Sequence, residues 1–186
     1  MTLDALALLE GRGAVLRGHF VLTSGRHSDT FIEKFRLLQW PDVTEALCRR
    51  VAAALASTAP TCVAGPTTGG VIVAYETARQ LGVRALVAER REHGPGREFR
   101  RGFELGPDDR CLVVDDVLTT GGSLREVLAA VRERGAAIAG VGVLVDRTGG
   151  GTDFGVPFAS ALALTVQSWE PNACPLCREG IPATET

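Results

Sequence analysis

Residues 111–124, CLVVDDVLTTGGSL, constrain this chain more than any other stretch. Cys111, Leu112, Val113 and Val114 form a short apolar, β-prone run, the pattern of a buried strand. Asp115 and Asp116 follow at its carboxyl end, and Thr119, Thr120, Gly121, Gly122 and Ser123 then make a small, polar, glycine-rich turn. Ser123 is the expected N-cap of the helix that follows, LREVLAAVRERG. A strand, a tight loop and a helix N-terminus make an anion site, because the loop N–H groups lack partners and the helix dipole favours negative charge. Two carboxylates beside a phosphate cradle repel the phosphate unless something lies between. Sugar hydroxyls or a magnesium ion would do so, and the site therefore reads as one for a ribose phosphate.

The spacing is neither a Walker A loop, since no Gly-Lys-Ser/Thr occurs, nor G-x-G-x-x-G. Residues 111–123 resemble the phosphoribosyl pyrophosphate (PRPP) motif of type I phosphoribosyltransferases: apolar strand, acidic doublet, two residues, Thr, small residues, Gly and Thr/Ser. The resemblance implies that Asp115, Asp116, Val117, Leu118, Thr119, Thr120, Gly121, Gly122 and Ser123 contact PRPP.

The rest of the chain is consistent with a parallel, doubly wound α/β sheet. Strands alternate with helices from residue 41 to 146: PDVTEALCRRVAAALAST opens on Pro41 as a helix, Cys62–Ala64 is a strand, and VIVAYETARQLG is a helix. Residues 83–89 and 138–146 are further strands, and FASALALTV is a last one. Residues 3–10 read as a short helix, and residues 18–38 as two strands around Ser24-Gly25-Arg26. Arg90–Gly102 has no periodicity and reads as a mobile loop. The expected organisation is a single domain over 1–186, with a hood and base-binding segment at 1–40, the α/β core at 41–165 and an irregular tail at 166–186. In such sheets ligands bind beyond the strand carboxyl ends, where Gly65–Gly70, Arg90–Arg101, Asp115–Ser123 and Arg147 fall.

Composition excludes several classes. A net charge of −2 gives no basic field for nucleic acid. No apolar run approaches the roughly 20 residues of a membrane span, and MTLDALALLEGRG lacks the features of a signal peptide, so cytoplasm is expected. Of the 20 Lys and Arg residues only Lys34 is lysine, so anion-binding roles usually filled by lysine fall to Arg, His or backbone N–H.

The turn Gly65-Pro66-Thr67-Thr68-Gly69-Gly70 lets backbone approach an anion, and in type I phosphoribosyltransferases its counterpart binds pyrophosphate, which assigns Thr68 and Gly69 to PRPP. The arginine-rich loop 90–101 suits a lid that neutralises the leaving group; Arg90 is expected to be fixed, and Arg91 and His93 to be the moving, catalytic contacts. The segment GHFVLTSGRHSDTFIEKFRLL resembles the entry segment of orotate phosphoribosyltransferases. The family relation implies that Phe31 stacks on a pyrimidine, that Arg147 forks onto the carboxylate of orotate, and that Thr119 also meets the base. Arg26 would contact a partner subunit or the surface.

The resemblance covers residues 15–150. It implies a transferase that makes orotidine 5′-monophosphate and pyrophosphate, with Asp115 and Asp116 as catalytic residues. It also implies Mg2+ carried by PRPP and not bound directly by protein ligands, and a homodimer whose lid reaches the neighbouring site. Other readings are transfer to another base, or a PRPP-sensing regulator that binds nucleic acid. Departures from the family are Thr23 before Ser-Gly-Arg and Gly69 in the pyrophosphate turn, where lysines are common, and a lid with a shorter spacing between Arg90 and His93.

Cys174-Pro-Leu-Cys177 is half of a zinc site, with no second pair in the chain. It would share a metal between chains, act in redox chemistry or simply pack. His19 and His27 have no ligand spacing to it.

Overall fold

The structure is a computed structural model that describes residues 5–22 and 24–186. The helix expected over residues 3–10 starts outside the described residues, and its described part is α1, Ala5–Gly11. Thr23 also lies outside them.

Two antiparallel strands follow, β1 (Val15–Val21) and β2 (His27–Ile32). A bulge between Arg17 and Phe20 adds one residue to β1. Next come a short helix α2 (Lys34–Leu38), capped by the Glu33 side chain, and α3 (Pro41–Leu55). Pro41 sits at the start of α3, where its missing N–H costs nothing. The buried face of α3 is Val43, Leu47, Cys48, Val51 and Leu55, at helical spacings of three and four.

The core is β3 (Cys62–Pro66), α4 (Gly69–Leu81), β4 (Arg84–Arg90), β5 (Arg97–Phe99), β6 (Arg110–Leu118), α5 (Gly122–Glu133), β7 (Ala137–Asp146) and β8 (Phe158–Ala163). Its sheet has the order β5-β4-β3-β6-β7-β8, parallel except for the β4–β5 pair. Strands β3, β6 and β7 are buried almost throughout, which is why they read as continuous apolar runs. Side-chain alternation divides β6 between two cores. Leu112 and Val114 pack with α3 and α4 on one face, and Cys111 and Val113 pack with Leu124, Val127, Leu128 and Val131 of α5 on the other. The fold is thus the doubly wound α/β sheet expected.

Two segments are more ordered than their sequence implies. Residues 90–102 contain a short strand that the sequence did not show: Ala88, Glu89 and Arg90 pair with Phe99, Glu98 and Arg97 around a turn at 91–96. The strand has three residues, too short to show a period of two. The tail is not irregular either. It contributes β9 (Ser168–Trp169), a one-turn helix α6 (Pro175–Arg178) and β10 (Thr184–Glu185). β9 pairs with β2 and β10 with β1, making a second sheet of order β10-β1-β2-β9.

That pairing gives Arg26 contacts within its own chain and corrects the expectation for the histidines. Arg26 clamps the tail of its own chain, donating to the Ser168 hydroxyl at 3.0 Å and the Ser168 carbonyl at 2.7 Å and pairing with Glu170. His19 and His27, unrelated in sequence spacing to Cys174 and Cys177, meet them in space: His19 lies against both thiols and His27 against that of Cys177.

Candidate active site

The carboxyl ends of β3 and β6 carry the acidic doublet and both glycine-rich turns. Asp115 is 8% and Asp116 2% exposed. The Asp116 N–H donates to Asp115 Oδ1 at 2.9 Å, and the Val117 N–H donates to Asp116 Oδ1 at 2.6 Å. Lys34 Nζ stands 3.3 Å from Asp116 Oδ2, an ion pair by distance, yet Oδ2 has no partner in hydrogen-bond geometry among the described residues. Burial, and then the neighbouring charge of Asp116, push Asp115 up to about 7. Burial raises Asp116 as well, opposed by the Lys34 ammonium. The pair is therefore held partly desolvated, with one cation beside it.

Lys34 is a site residue that sequence reasoning passed over. It was the single lysine, at the start of α2, and that rarity was the available signal. Its partner lies far along the chain, so no local pattern links the two.

The turn after β3 explains Gly69. A Cβ on Gly69 would lie 1.8 Å from Asp116 Oδ2. One on Gly70 would lie 2.5 Å from Pro66 Cδ and 3.1 Å from Asp115 Oδ1. With no side chain at either position, the carboxylates press against the N-terminal turn of α4. A lysine at 69 is incompatible with this carboxylate position. The Thr67–Thr68 peptide preceding α4 is cis.

Arg97 fastens that turn from behind. It is only 3% exposed and donates from Nη1 to Thr67 Oγ1 at 3.1 Å and to the Ala88 carbonyl at 3.0 Å. Its Nε lies 3.2 Å from Glu126 Oε2 but outside hydrogen-bond geometry. Burial pushes its pKa down, and Glu126 opposes that. This arginine, read in sequence as part of a moving lid, is a fixed strand residue between β4 and α5.

The loop after β6 differs from expectation in its cap. Gly121, at φ +79°, is the N-cap of α5, and the helix begins at Gly122, so Ser123 lies inside its first turn. The left-handed bend requires glycine, and it leaves the Ser123 hydroxyl exposed instead of folded back on the helix. The N–H groups of Thr119, Thr120 and Gly121 have no acceptor among the described residues. With Asp115, Val117, Leu118, Gly122, Ser123 and Leu124 these residues line a small hollow of about 50 Å³. Phe154 supports the bend from below: a Cβ on Gly121 would lie 3.4 Å from its ring.

Beside this hollow lies a larger cavity of about 650 Å³, lined by Thr119, Thr120, Phe31 and Arg147 and walled by Leu22, Ser24, Arg26 and the tail residues Ser168 and Thr186. Phe31 rests on Phe20, ring centroids 5.7 Å apart, with the cavity on its other side. Arg147 is held through its own N–H, which donates to the Leu118 carbonyl at 2.9 Å. Its Nε is buried with no partner among the described residues, and burial lowers its pKa. Asp146 does not neutralise it. Asp146 Oδ1 accepts from the Thr148 N–H and hydroxyl, each at 2.7 Å.

Arg90, Arg91 and His93 line neither cavity. Arg90 ends β4 and His93 sits in the turn, both exposed. Arg91 pairs with Glu133 of α5, and its Nε donates to the Arg97 carbonyl at 3.3 Å. It lines a separate hollow of about 380 Å³ between the hairpin and α5.

The strand ends thus carry a glycine-rich loop, an acidic doublet and an adjoining cavity, the place where ligands bind in doubly wound sheets. The phosphoribosyl transferase domain family matches residues 36–154, and the chain belongs to that family. An orotate phosphoribosyltransferase of Pelotomaculum thermopropionicum is 51% identical over 186 residues, covering 100% of this chain and 97% of its own. One from Caldanaerobacter subterraneus is 46% identical over 177 residues, covering 95% of this chain and 92% of its own. Among solved structures, the orotate phosphoribosyltransferase of Aeropyrum pernix superposes with a TM-score of 0.69 at 30% identity, covering 86% of this chain and 93% of that one.

Proposed function

We propose that this chain transfers the phosphoribosyl group of PRPP to orotate, giving orotidine 5′-monophosphate and pyrophosphate. The observation that carries the choice of base is Arg147. A half-buried guanidinium whose Nε has no partner among the described residues lines the cavity that Phe31 also lines, and a planar base bearing a carboxylate satisfies both.

The N–H groups of Thr119–Gly122, with the Thr119, Thr120 and Ser123 hydroxyls, hold the ribose 5-phosphate at the N-terminus of α5. Asp115 and Asp116 hold the ribose hydroxyls. Pyrophosphate lies against Thr68 and Gly69 at the start of α4, whose dipole favours an anion there. Charge builds on the departing pyrophosphate while the ribose carbon becomes cationic, so the residues act by positioning and electrostatics.

The carboxylate cluster fits a magnesium ion brought in with PRPP. Asp116 Oδ2 is buried and lacks a hydrogen-bond donor, and Asp115 adjoins it. Asp115 and Asp116 would adjoin an ion carried by PRPP, and the ion would supply charge neutralisation of the pyrophosphate. Arg90, Arg91 and His93 line neither the hollow at Thr119–Ser123 nor the cavity at Arg147, which favours a homodimer in which the hairpin serves the neighbour's site. Cytoplasmic placement fits five free cysteines and the absence, among the described residues, of a helix long and apolar enough to cross a membrane.

A panel of free bases assayed for PRPP-dependent pyrophosphate release tests the reading. Orotate should be the preferred acceptor. Reaction of uracil or a purine with orotate inert would refute it.

A further inference from the structure

The tail poses a problem of stability. Between Leu162 and Thr186 only Cys174 is buried, so little apolar burial holds this segment down. Yet the segment adds both outer strands of the hood sheet and supplies Ser168 and Thr186 to the wall of the large cavity. The one residue it buries is a thiol in a group of four metal-ligand types, His19, His27, Cys174 and Cys177, whose ligand atoms all lie within 4.8 Å of one another.

We propose that His19, His27, Cys174 and Cys177 form a closed tetrahedral Zn2+ site that pins the tail onto the β1–β2 hairpin and thereby sets the wall of the base cavity. The distances fit the ion. Cys174 Sγ and Cys177 Sγ lie 3.6 and 3.7 Å from His19 Nε2, and Cys177 Sγ lies 3.3 Å from His27 Nδ1. Bonds of Zn–S and Zn–N length in a tetrahedron place sulfur and nitrogen about 3.6 Å apart. His19 Nε2 and His27 Nδ1 stand at 2.7 Å, so the ring nitrogens need to open by roughly half an ångström to admit the ion.

The surroundings orient the ligands. His19 Nδ1 lies 2.7 Å from the Ile181 carbonyl. An N–H there donates to the carbonyl and leaves the Nε2 lone pair aimed at the thiols, the usual support of a metal-bound imidazole. The bulge in β1 re-aims His19 so that it meets His27 on the neighbouring strand. The Cys-x-x-Cys spacing brings both sulfurs to one side of the one-turn helix α6. Binding releases the thiol protons to solvent, leaving two thiolates on the dication and a site of no net charge. With four protein ligands no position is open, so the site is structural and independent of the transfer chemistry.

The test uses the full chain purified without chelator. Elemental analysis should find about one zinc per chain, and Co2+ in its place should show tetrahedral visible bands with a thiolate-to-cobalt charge-transfer band. The Cys174→Ser/Cys177→Ser variant should hold roughly tenfold less metal or worse. Should that variant fail to fold, the Co2+ spectrum of the wild-type chain decides alone. Wild-type protein that stays metal-free after dialysis against Zn2+, gives an octahedral Co2+ spectrum, or carries a Cys174–Cys177 disulfide as isolated overturns the proposal. None of these readouts depends on which base the enzyme accepts.

Discussion

Replacing Arg147 with methionine should weaken catalysis and strengthen the fold together. Methionine keeps an unbranched apolar stem in the site and removes the half-buried guanidinium, whose buried Nε has no partner among the described residues. Hydrogen bonds to a charged group are worth about 1.5–3 kcal/mol each, so loss of a two-point fork onto the carboxylate costs about 3–6 kcal/mol. At about 1.4 kcal/mol per decade, kcat/KM for orotate should fall roughly 10²- to 10⁴-fold. KM for PRPP should hardly change, because Arg147 lines the base cavity and not the phosphate hollow. In the unliganded protein the balance reverses. An unsatisfied buried donor costs about 1–3 kcal/mol, and a kcal/mol shifts Tm by about 2–4 °C in a domain of this size. Tm of Arg147→Met should therefore rise by about 2–12 °C. Steady-state kinetics with orotate varied at saturating PRPP, alongside thermal denaturation of the ligand-free protein, measure both. An unchanged KM for orotate, or a fall in Tm, would refute the assignment of Arg147 as a cation held for a substrate carboxylate.

Two further changes probe the acidic doublet. Burial raises Asp115 from 3.8 to about 7, so between those values the folded chain binds more protons than the unfolded one, and stability falls as pH rises through the window. Asp115→Asn should abolish turnover while gaining stability over wild type above pH 7, a gain that vanishes below pH 3.8; equal pH slopes in denaturant titrations of the two proteins would count against it. Gly69→Ala sets a methyl carbon 1.8 Å from Asp116 Oδ2, so the carboxylate must shift. The expected outcome is a loss of about 1–3 kcal/mol in denaturant titration together with reduced kcat, and a silent substitution would mean that the carboxylate does not press on α4.

The sequence by itself determined the frame. The apolar runs of β3, β6 and β7 can be buried only between two layers of helices, and the acidic doublet followed by Thr-Thr-Gly-Gly-Ser sits at a strand end whatever packs around it. Such features are local: they are written in consecutive residues with a period or a turn chemistry that is readable in a window. Family resemblance singled out Arg147 and Phe31, and only the fold brings them to the wall of one cavity. Only the tertiary structure placed Lys34 beside Asp116, fixed Arg97 behind the Thr67 turn and made Gly69 a steric necessity. Each joins side chains from different elements, and nothing in either local segment encodes the match. The hood shows this most fully. His19 and Cys174 are separated by 155 positions, β9 and β10 have two residues each, and the partners meet only because paired backbones carry them to one point. Local pattern set the sheet and its glycine-rich loop, while long-range pairing decided what lines the large cavity and what holds the tail in place.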